Sequence, residues 1–335
     1  MQTEIIPELS ADFVVRPCTL DDIEPVVALM NTCALKVIGK ADEVVEEILT
    51  DWKKPGFDQA ANQRIIFAPD GRTVGWIEVT NSQSVTIYFD LYIHPDFESS
   101  GIGEYLLNWC QSRAREMMLD APANARIALR CYTYEQDVWY RDVLERAGIN
   151  AIRYFWHMER KLNERPPEPE WADGIRLETF KAHHDRKAVL EVVRDAFQDH
   201  FGYVDRPFDE HYAEWSHIWD AKYEPGLWLL ALDGDKIAGV VLNQSSHATD
   251  LDLGWVSTLA VRREYRRRGL GLALLYATFE VFYQQGKPRV GLGVDASSLT
   301  GATELYRRAG MSVTNQYRLY EKELRGGLDL TTTDI

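Results

Sequence analysis

The chain has 335 residues, 45% of them hydrophobic and 11% aromatic, with a net charge of −15. That length suits two domains of roughly 150 residues each, and the composition excludes wholesale disorder. The acidic balance argues against a nucleic-acid-binding face, and no window approaches the roughly 20 apolar residues of a membrane span.

The opening, MQTEIIPELSADFVV, lacks a basic region followed by an apolar stretch. Cys18, Cys33, Cys110 and Cys131 form no CxxC pair and no metal-ligand spacing. The expectation is a soluble cytoplasmic protein with reduced thiols, no bound metal, and neither nucleic acid nor membrane as partner.

Along the chain, VVALM (26–30) carries apolar residues at helical spacing. A D-G turn leads into the hairpin strand VGWIEV (74–79). An apolar strand then ends in FESSGIGEYLL (97–107), a glycine loop opening a helix. The strand IALRCY (127–132), the helix VLERAG (143–148) and the closing strand GINAIRYFWHMERKL (148–162) follow. NERPPEPEWADG (163–174), rich in proline and acid, reads as a linker.

The same order then returns. VLEVV (189–193) is helical, IAGVVL (237–242) follows a D-G turn, and STLAV (257–261) is a strand ending in RREYRRRG. GLGLALLYATFEVFYQQG (269–286) is a helix stopped by glycine, VGLGV (290–294) a strand, and LYRRAG (305–310) leads into GMSVTNQYRLYEKEL (310–324). The closing segments are offset by 310 − 148 = 162 positions and the glycine loops by 269 − 101 = 168, so six residues of insertion or deletion separate the two anchors. The chain is an internal duplication. Its expected parts are 1–162, a linker at 163–174, 175–325, and a flexible tail at 326–335.

Arg266, Arg267 and Arg268 run into Gly269, Leu270 and Gly271 where the long helix begins. A helix start presents backbone N–H groups without partners, and glycines let an anion approach them. Charge-assisted hydrogen bonds of about 1.5–3 kcal/mol each make such amides a phosphate clamp. A Walker loop would need Gly-Lys-Ser/Thr, and a dinucleotide fingerprint a glycine where Leu274 stands.

Arg-x-x-Gly-x-Gly after a strand resembles the pyrophosphate-binding signature of the GNAT superfamily of acetyl-CoA-dependent N-acetyltransferases. VDASSLTGATELYRRAGM (294–311) resembles that superfamily's last strand–helix unit, and VVRPCTLDDIEPV (14–26) its usual opening. The resemblance covers nearly the whole chain and is nearest to the tandem GNAT proteins related to mycothiol synthase. It implies an α/β (α+β) fold of two tandem GNAT domains, each a mixed, mostly antiparallel central sheet flanked by helices. The implied activity is transfer of an acetyl group from acetyl-CoA to a primary amine of a small molecule, by direct attack in a ternary complex. A non-catalytic acyl-CoA-binding or regulatory protein is the alternative, and O-acylation or a longer acyl donor a third reading.

By the same resemblance, pantetheine lies along Leu259, Ala260 and Val261, with the Leu259 amide polarising the thioester carbonyl. Amides from Arg266 through Leu272 hold the pyrophosphate, and the arginine side chains favour the 3′-phosphate. Ser298 replaces an asparagine of the family pattern, and Tyr306 stands where the family places a proton donor, with packing under the final strand as its other reading. The position of the family's strand glutamate is Trp255. Asp252 acting through water, its neighbour Asp250, and Asp295 are the candidate bases. Tyr212, Trp215 and Trp219 share a helical face, as core packing requires. Asp199, His200, Asp205 and Glu210 are placed to receive a cationic amine.

The first loop departs from the pattern. Glu98, Ser99 and Ser100 stand for the three arginines, and Leu144 for Tyr306. A carboxylate beside a diphosphate is repulsive. Residues 1–162 are therefore expected to form a GNAT-like domain without catalytic function, with residual coenzyme binding through Leu91, Ile93, Gly101 and Gly103 left open.

Overall fold

The computed structural model describes residues 9–81, 84–181, 184–298 and 300–332. The first repeat runs β1 (Val14–Arg16), α1 (Ile23–Ile38), α2 (Val45–Trp52), α3 (Gln59–Asn62), β2 (Gln63–Phe67), β3 (Thr73–Thr80) and β4 (Thr86–Ile93). It continues through α4 (Ile102–Met117), β5 (Ile127–Tyr134), α5 (Val138–Arg146) and β6 (Asn150–Lys161). The second runs β7 (Ile175–Thr179), α6 (Arg186–Phe197), α7 (Phe208–Lys222), β8 (Trp228–Asp233), β9 (Lys236–Gln244) and β10 (Leu253–Val261). It closes with α8 (Leu270–Gln284), β11 (Arg289–Asp295), α9 (Ala302–Arg308) and β12 (Ser312–Arg325).

Packing divides the chain differently from the sequence repeat. One compact unit holds Met1–Arg153 with Tyr317–Leu330, the other Tyr154–Gln316 with Thr331–Ile335. Each repeat's closing strand is built into the opposite unit. Tyr317–Arg325 of β12 lies antiparallel to β5, and Phe155–Lys161 of β6 lies antiparallel to β11. The first unit's sheet has the order β1-β2-β3-β4-β5-β12, the second's β6-β11-β10-β9-β8-β7. In each, one pair is parallel, β4 with β5 and β10 with β11, and the rest are antiparallel. The expected mixed, mostly antiparallel sheets are present.

An ion cluster fastens β12 to the first unit. Arg130, 2% exposed, donates through Nε to Glu321 at 2.7 Å, and Arg126 donates to Glu321 and to Glu323. Lys322 donates to Gln111 at 2.6 Å and to the Ala147 carbonyl at 2.8 Å. Of the expected tail, 326–335, residues 326–332 carry backbone bonds, from Arg126 to Leu328, Leu328 to Asn124, and Thr332 to Tyr203, and 333–335 lie outside the described residues.

In the second unit the aromatic stripe of α7 packs as its spacing requires. Trp219 is buried against Trp228, with ring centroids 5.4 Å apart, while Tyr212 and Trp215 lean on the same core. The four cysteines are free thiols, and burial pushes Cys18 and Cys33 up to about 12. Among the described residues, no helix is long and apolar enough to cross a membrane.

Candidate active site

β10 and β11 pair from Leu253↔Arg289 to Val256↔Leu292 and then part, although β10 continues to Val261 and β11 to Asp295. The parting coincides with a register shift against β9 between Val256 and Thr258, a bulge that bends β10 away. Arg262 donates its N–H to Ala238. Antiparallel pairs alternate, so Ala260 and Thr258 also bond toward β9, opposite Val240 and Leu242. The backbone groups of Leu259 and Val261 therefore face the gap, an open strand edge of the kind that extended ligands complete. Past the last pair, Val256↔Leu292, β11 runs on to its closing residue, Asp295.

Below the gap lies the arginine–glycine loop. Gly269, at φ +80°, caps α8 in a left-handed conformation, and Arg267 holds φ +60°. Such a φ costs a residue with a Cβ about 1–3 kcal/mol and persists where the surroundings impose it. Successive N–H groups thereby converge on a concavity suited to an anion. The amides of Arg267, Arg268, Gly269, Leu270 and Gly271 have no acceptor among the described residues, and the helical ladder begins with Leu272 donating to Gly269. A Cβ on Gly271 would stand 3.1 Å from a Leu305 methyl, so glycine keeps the approach clear.

The arginines divide their work. Arg267 and Arg268 are exposed, Arg268 lying over the Tyr265 ring at 5.3 Å. Arg266 instead grips Asp199, with one contact at 3.1 Å, and the Ala196 carbonyl at 2.7 Å, fastening the loop to the end of α6. Asp199, expected to receive an amine, is thus neutralised by Arg266, and Asp205 is paired with Arg194 at 2.8 Å. Glu210 is exposed on the first turn of α7.

The expected bases separate just as clearly. Asp252 is exposed in the turn before β10, seven residues (259 − 252) from Leu259. At roughly 3.3 Å per residue that is about 23 Å, beyond the reach of one water. Asp250 is held by Arg289 through two contacts of 2.9 Å. Asp295 closes β11, beyond its last pair with β10, and its Oδ1 accepts the Ser297 amide at 2.9 Å. His200 lies within electrostatic reach of Asp295, Asp199 and Arg266, and burial lowers its pKa below the usual 6.5. Tyr306 is 8% exposed, and burial pushes its phenol up to about 12. Ser298 shares a hydrogen bond with Thr300 at 2.9 Å.

Trp255 stacks on His247 with centroids 3.7 Å apart, and His157 stands 5.0 Å from the same ring. These histidines come from a loop and from β6, so no sequence spacing joins them to the site.

The first unit repeats the frame with the cradle closed. β4 and β5 pair only from Thr86↔Ala128 to Tyr88↔Arg130, and Gly101 caps α4 at φ +81°. There the Ser100 amide bonds Phe97 at 3.0 Å, and the Ile102 amide reaches Ser100 Oγ at 3.4 Å. Glu98 pairs with Lys36 of α1, the Arg266–Asp199 link with its signs exchanged. The offset of 162 sets Trp139 at the position of Gly301, and Tyr140 at that of Ala302. Trp139 donates to the Glu98 carbonyl at 3.2 Å, and its ring would stand 3.4 Å from a Cβ on Gly103. Nothing lies within 4 Å of the corresponding direction at Gly301. Trp139 thus lies on the first loop, and the second has a glycine at that position.

A parted parallel pair beside an amide cradle is acyltransferase architecture, here built twice. The chain belongs to the acetyltransferase (GNAT) family, whose model matches residues 32–134 and 187–311, one stretch in each repeat. It is 27% identical over 231 residues to a mycothiol acetyltransferase of Thermobispora bispora, covering 67% of this chain and 72% of that protein. Its structure is similar to that of a GCN5-related N-acetyltransferase from Sphaerobacter thermophilus, with TM-score 0.80, 34% identity, and coverage of 97% of this chain and 100% of that one. A tandem GNAT protein from the clavulanic acid biosynthesis pathway shares the fold at TM-score 0.71 and 16% identity, with coverage of 94% and 99%.

Proposed function

We propose that the second unit transfers the acetyl group of acetyl-CoA to the primary amine of a small molecule, by direct attack in a ternary complex. The observation that carries this reading is the run of unpartnered amides from Arg267 to Gly271, set below the open edge of β10. The amides hold the coenzyme's diphosphate, and Arg267 and Arg268 attract its remaining phosphate. Pantetheine completes the sheet edge along Leu259 and Val261, with Ser298 as a further contact. The Leu259 N–H then polarises the thioester carbonyl. The relatives named mycothiol acetyltransferase support a small acceptor.

A lysine-like amine of pKa near 10.4 costs about 4–5 kcal/mol to deprotonate at neutral pH. Asp295, with the neutral imidazole of His200 nearby, takes that proton; Asp252 is too distant. Because burial lowers the His200 pKa, the ring stays neutral through the neutral range and protonates only below about pH 6.5. Activity should hold from pH 7.5 to 6.5 and decline below it, and His200→Gln should lower kcat and move this acidic limb. A limb left in place by His200→Gln would remove the histidine from the relay.

Tyr306, with its pKa near 12, serves the departing thiolate as a hydrogen-bond donor. Full proton transfer to a thiolate of pKa about 8.5 would be uphill by roughly 4–5 kcal/mol. One charge-assisted hydrogen bond is worth about 1.5–3 kcal/mol, so Tyr306→Phe should reduce kcat roughly 10- to 150-fold with little change in KM for acetyl-CoA. Unchanged turnover would make Tyr306 a packing residue only. Thiol release from acetyl-CoA across a panel of primary amines tests the whole reading. Tight coenzyme binding without turnover on any amine would favour the acyl-CoA-binding alternative, to which the missing glutamate at Trp255 lends its support.

A further inference from the structure

The loop between α6 and α7, residues 198–207, helps to set the shape of the coenzyme cradle. Its Asp199 grips Arg266, the residue before Arg267, whose φ of +60° needs surroundings that impose it. Arg266 is fixed from one side by the Ala196 carbonyl of α6 and from the other by Asp199. Whatever holds this loop therefore helps to hold the cradle.

Thr332, 134 positions beyond Gln198, holds it with three hydrogen bonds. Its Oγ1 donates to the Gln198 carbonyl at 2.9 Å, and its N–H to the Tyr203 carbonyl at 2.8 Å. Its own carbonyl accepts the Gly202 amide at 2.8 Å. Both segments belong to the second unit. The bonds fall on either side of Asp199 and His200, so the arc that presents the carboxylate is fastened at both ends. Inside the arc the His200 amide donates to Phe197, and the two rings pack with centroids 4.3 Å apart. Farther along, Asp205 ties the loop back to Arg194 of α6.

A loop left free would sample many conformations, and binding a ligand beside it would carry the cost of ordering it. We infer that Thr332 is a positioning residue of the acetyl-transfer site, clamping residues 198–203 so that Asp199 stays on Arg266 and the amide cradle is formed before the coenzyme arrives. The inference rests on the assignment of coenzyme binding to the second unit, and it concerns a residue outside the cradle itself.

Calorimetric titration with coenzyme A tests it. Ending the chain at Leu330 removes all three bonds and should weaken binding roughly tenfold, whereas Thr332→Val removes the Oγ1 bond alone and should weaken it about threefold. Thr332→Ser, which keeps the hydroxyl, should match the parent. In an Asp199→Ala background, where the link to Arg266 is already cut, Thr332→Val should have no further effect. A Thr332 that only secured its own segment would lower the melting temperature and leave these affinities alone. Equal affinity of the parent and Thr332→Val, or the same loss from Thr332→Val with and without Asp199, would overturn the inference. Turnover of the parent on primary amines, measured alongside, judges the acetyl-transfer reading separately. A parent that binds coenzyme A without turnover loses that reading, while the affinity ratios still decide the role of Thr332. A parent that does not bind coenzyme A would overturn both.

Discussion

Gly271→Glu should abolish acetyl transfer, whereas Ser99→Glu, in the matching loop of the first unit, should leave turnover within about twofold. The glutamate carboxylate would enter the concavity formed by the Arg267–Gly271 amides. Displacing the diphosphate from two of those N–H groups loses about 3–6 kcal/mol, roughly 10²- to 10⁴-fold in kcat/KM for acetyl-CoA. Steric disturbance is limited, because the nearest atom to a Cβ there is a side-chain methyl of Leu305. Ser99 is exposed on a loop already carrying Glu98 and already covered by Trp139. Equal losses from the two substitutions would overturn the assignment of catalysis to the second unit. Binding of two coenzyme molecules per parent chain would show that Trp139 does not close the first.

Glu321→Ala should destabilise the first unit by about 3–5 kcal/mol, because it removes a carboxylate from beside a buried guanidinium. Arg130 is 2% exposed and Glu321 10%, so little water replaces the lost carboxylate. For a unit of this size the loss corresponds to a fall of about 10 °C in melting temperature. Replacing both partners by apolar residues, Arg130→Met with Glu321→Leu, should recover most of the loss, since neither charge then remains buried. A melting temperature unchanged by Glu321→Ala would mean that β12 is held by its backbone ladder and its other side-chain contacts, such as Lys322 and Arg318.

Much of the architecture was legible before any coordinates. Arg-x-x-Gly-x-Gly after a strand and the Leu-Tyr unit beyond it led to the family, since helix-start amides and glycine depend on local sequence. Leu259 and Val261 are the expected pantetheine contacts, and the hydrogen bond from Arg262 to Ala238 turns their backbone groups away from β9. Proton handling was harder to read. Asp252 is near Leu259 in sequence yet lies before the start of β10, while Asp295 is distant in sequence and ends the strand that parts from β10. His200, His157 and His247 acquire neighbours only through packing, and the ion pair that occupies Arg266 joins residues 67 positions apart.

Taken alone, the order of residues determined the duplication, the two glycine loops, and which loop kept its positive charge, because each is a pattern of neighbours along the chain. The exchange of closing strands, the seating of Trp139 on the first loop and the partners that each carboxylate finds were decided by tertiary structure. Those outcomes depend on strand order and on which faces meet, and a strand's own alternation is the same whichever sheet receives it.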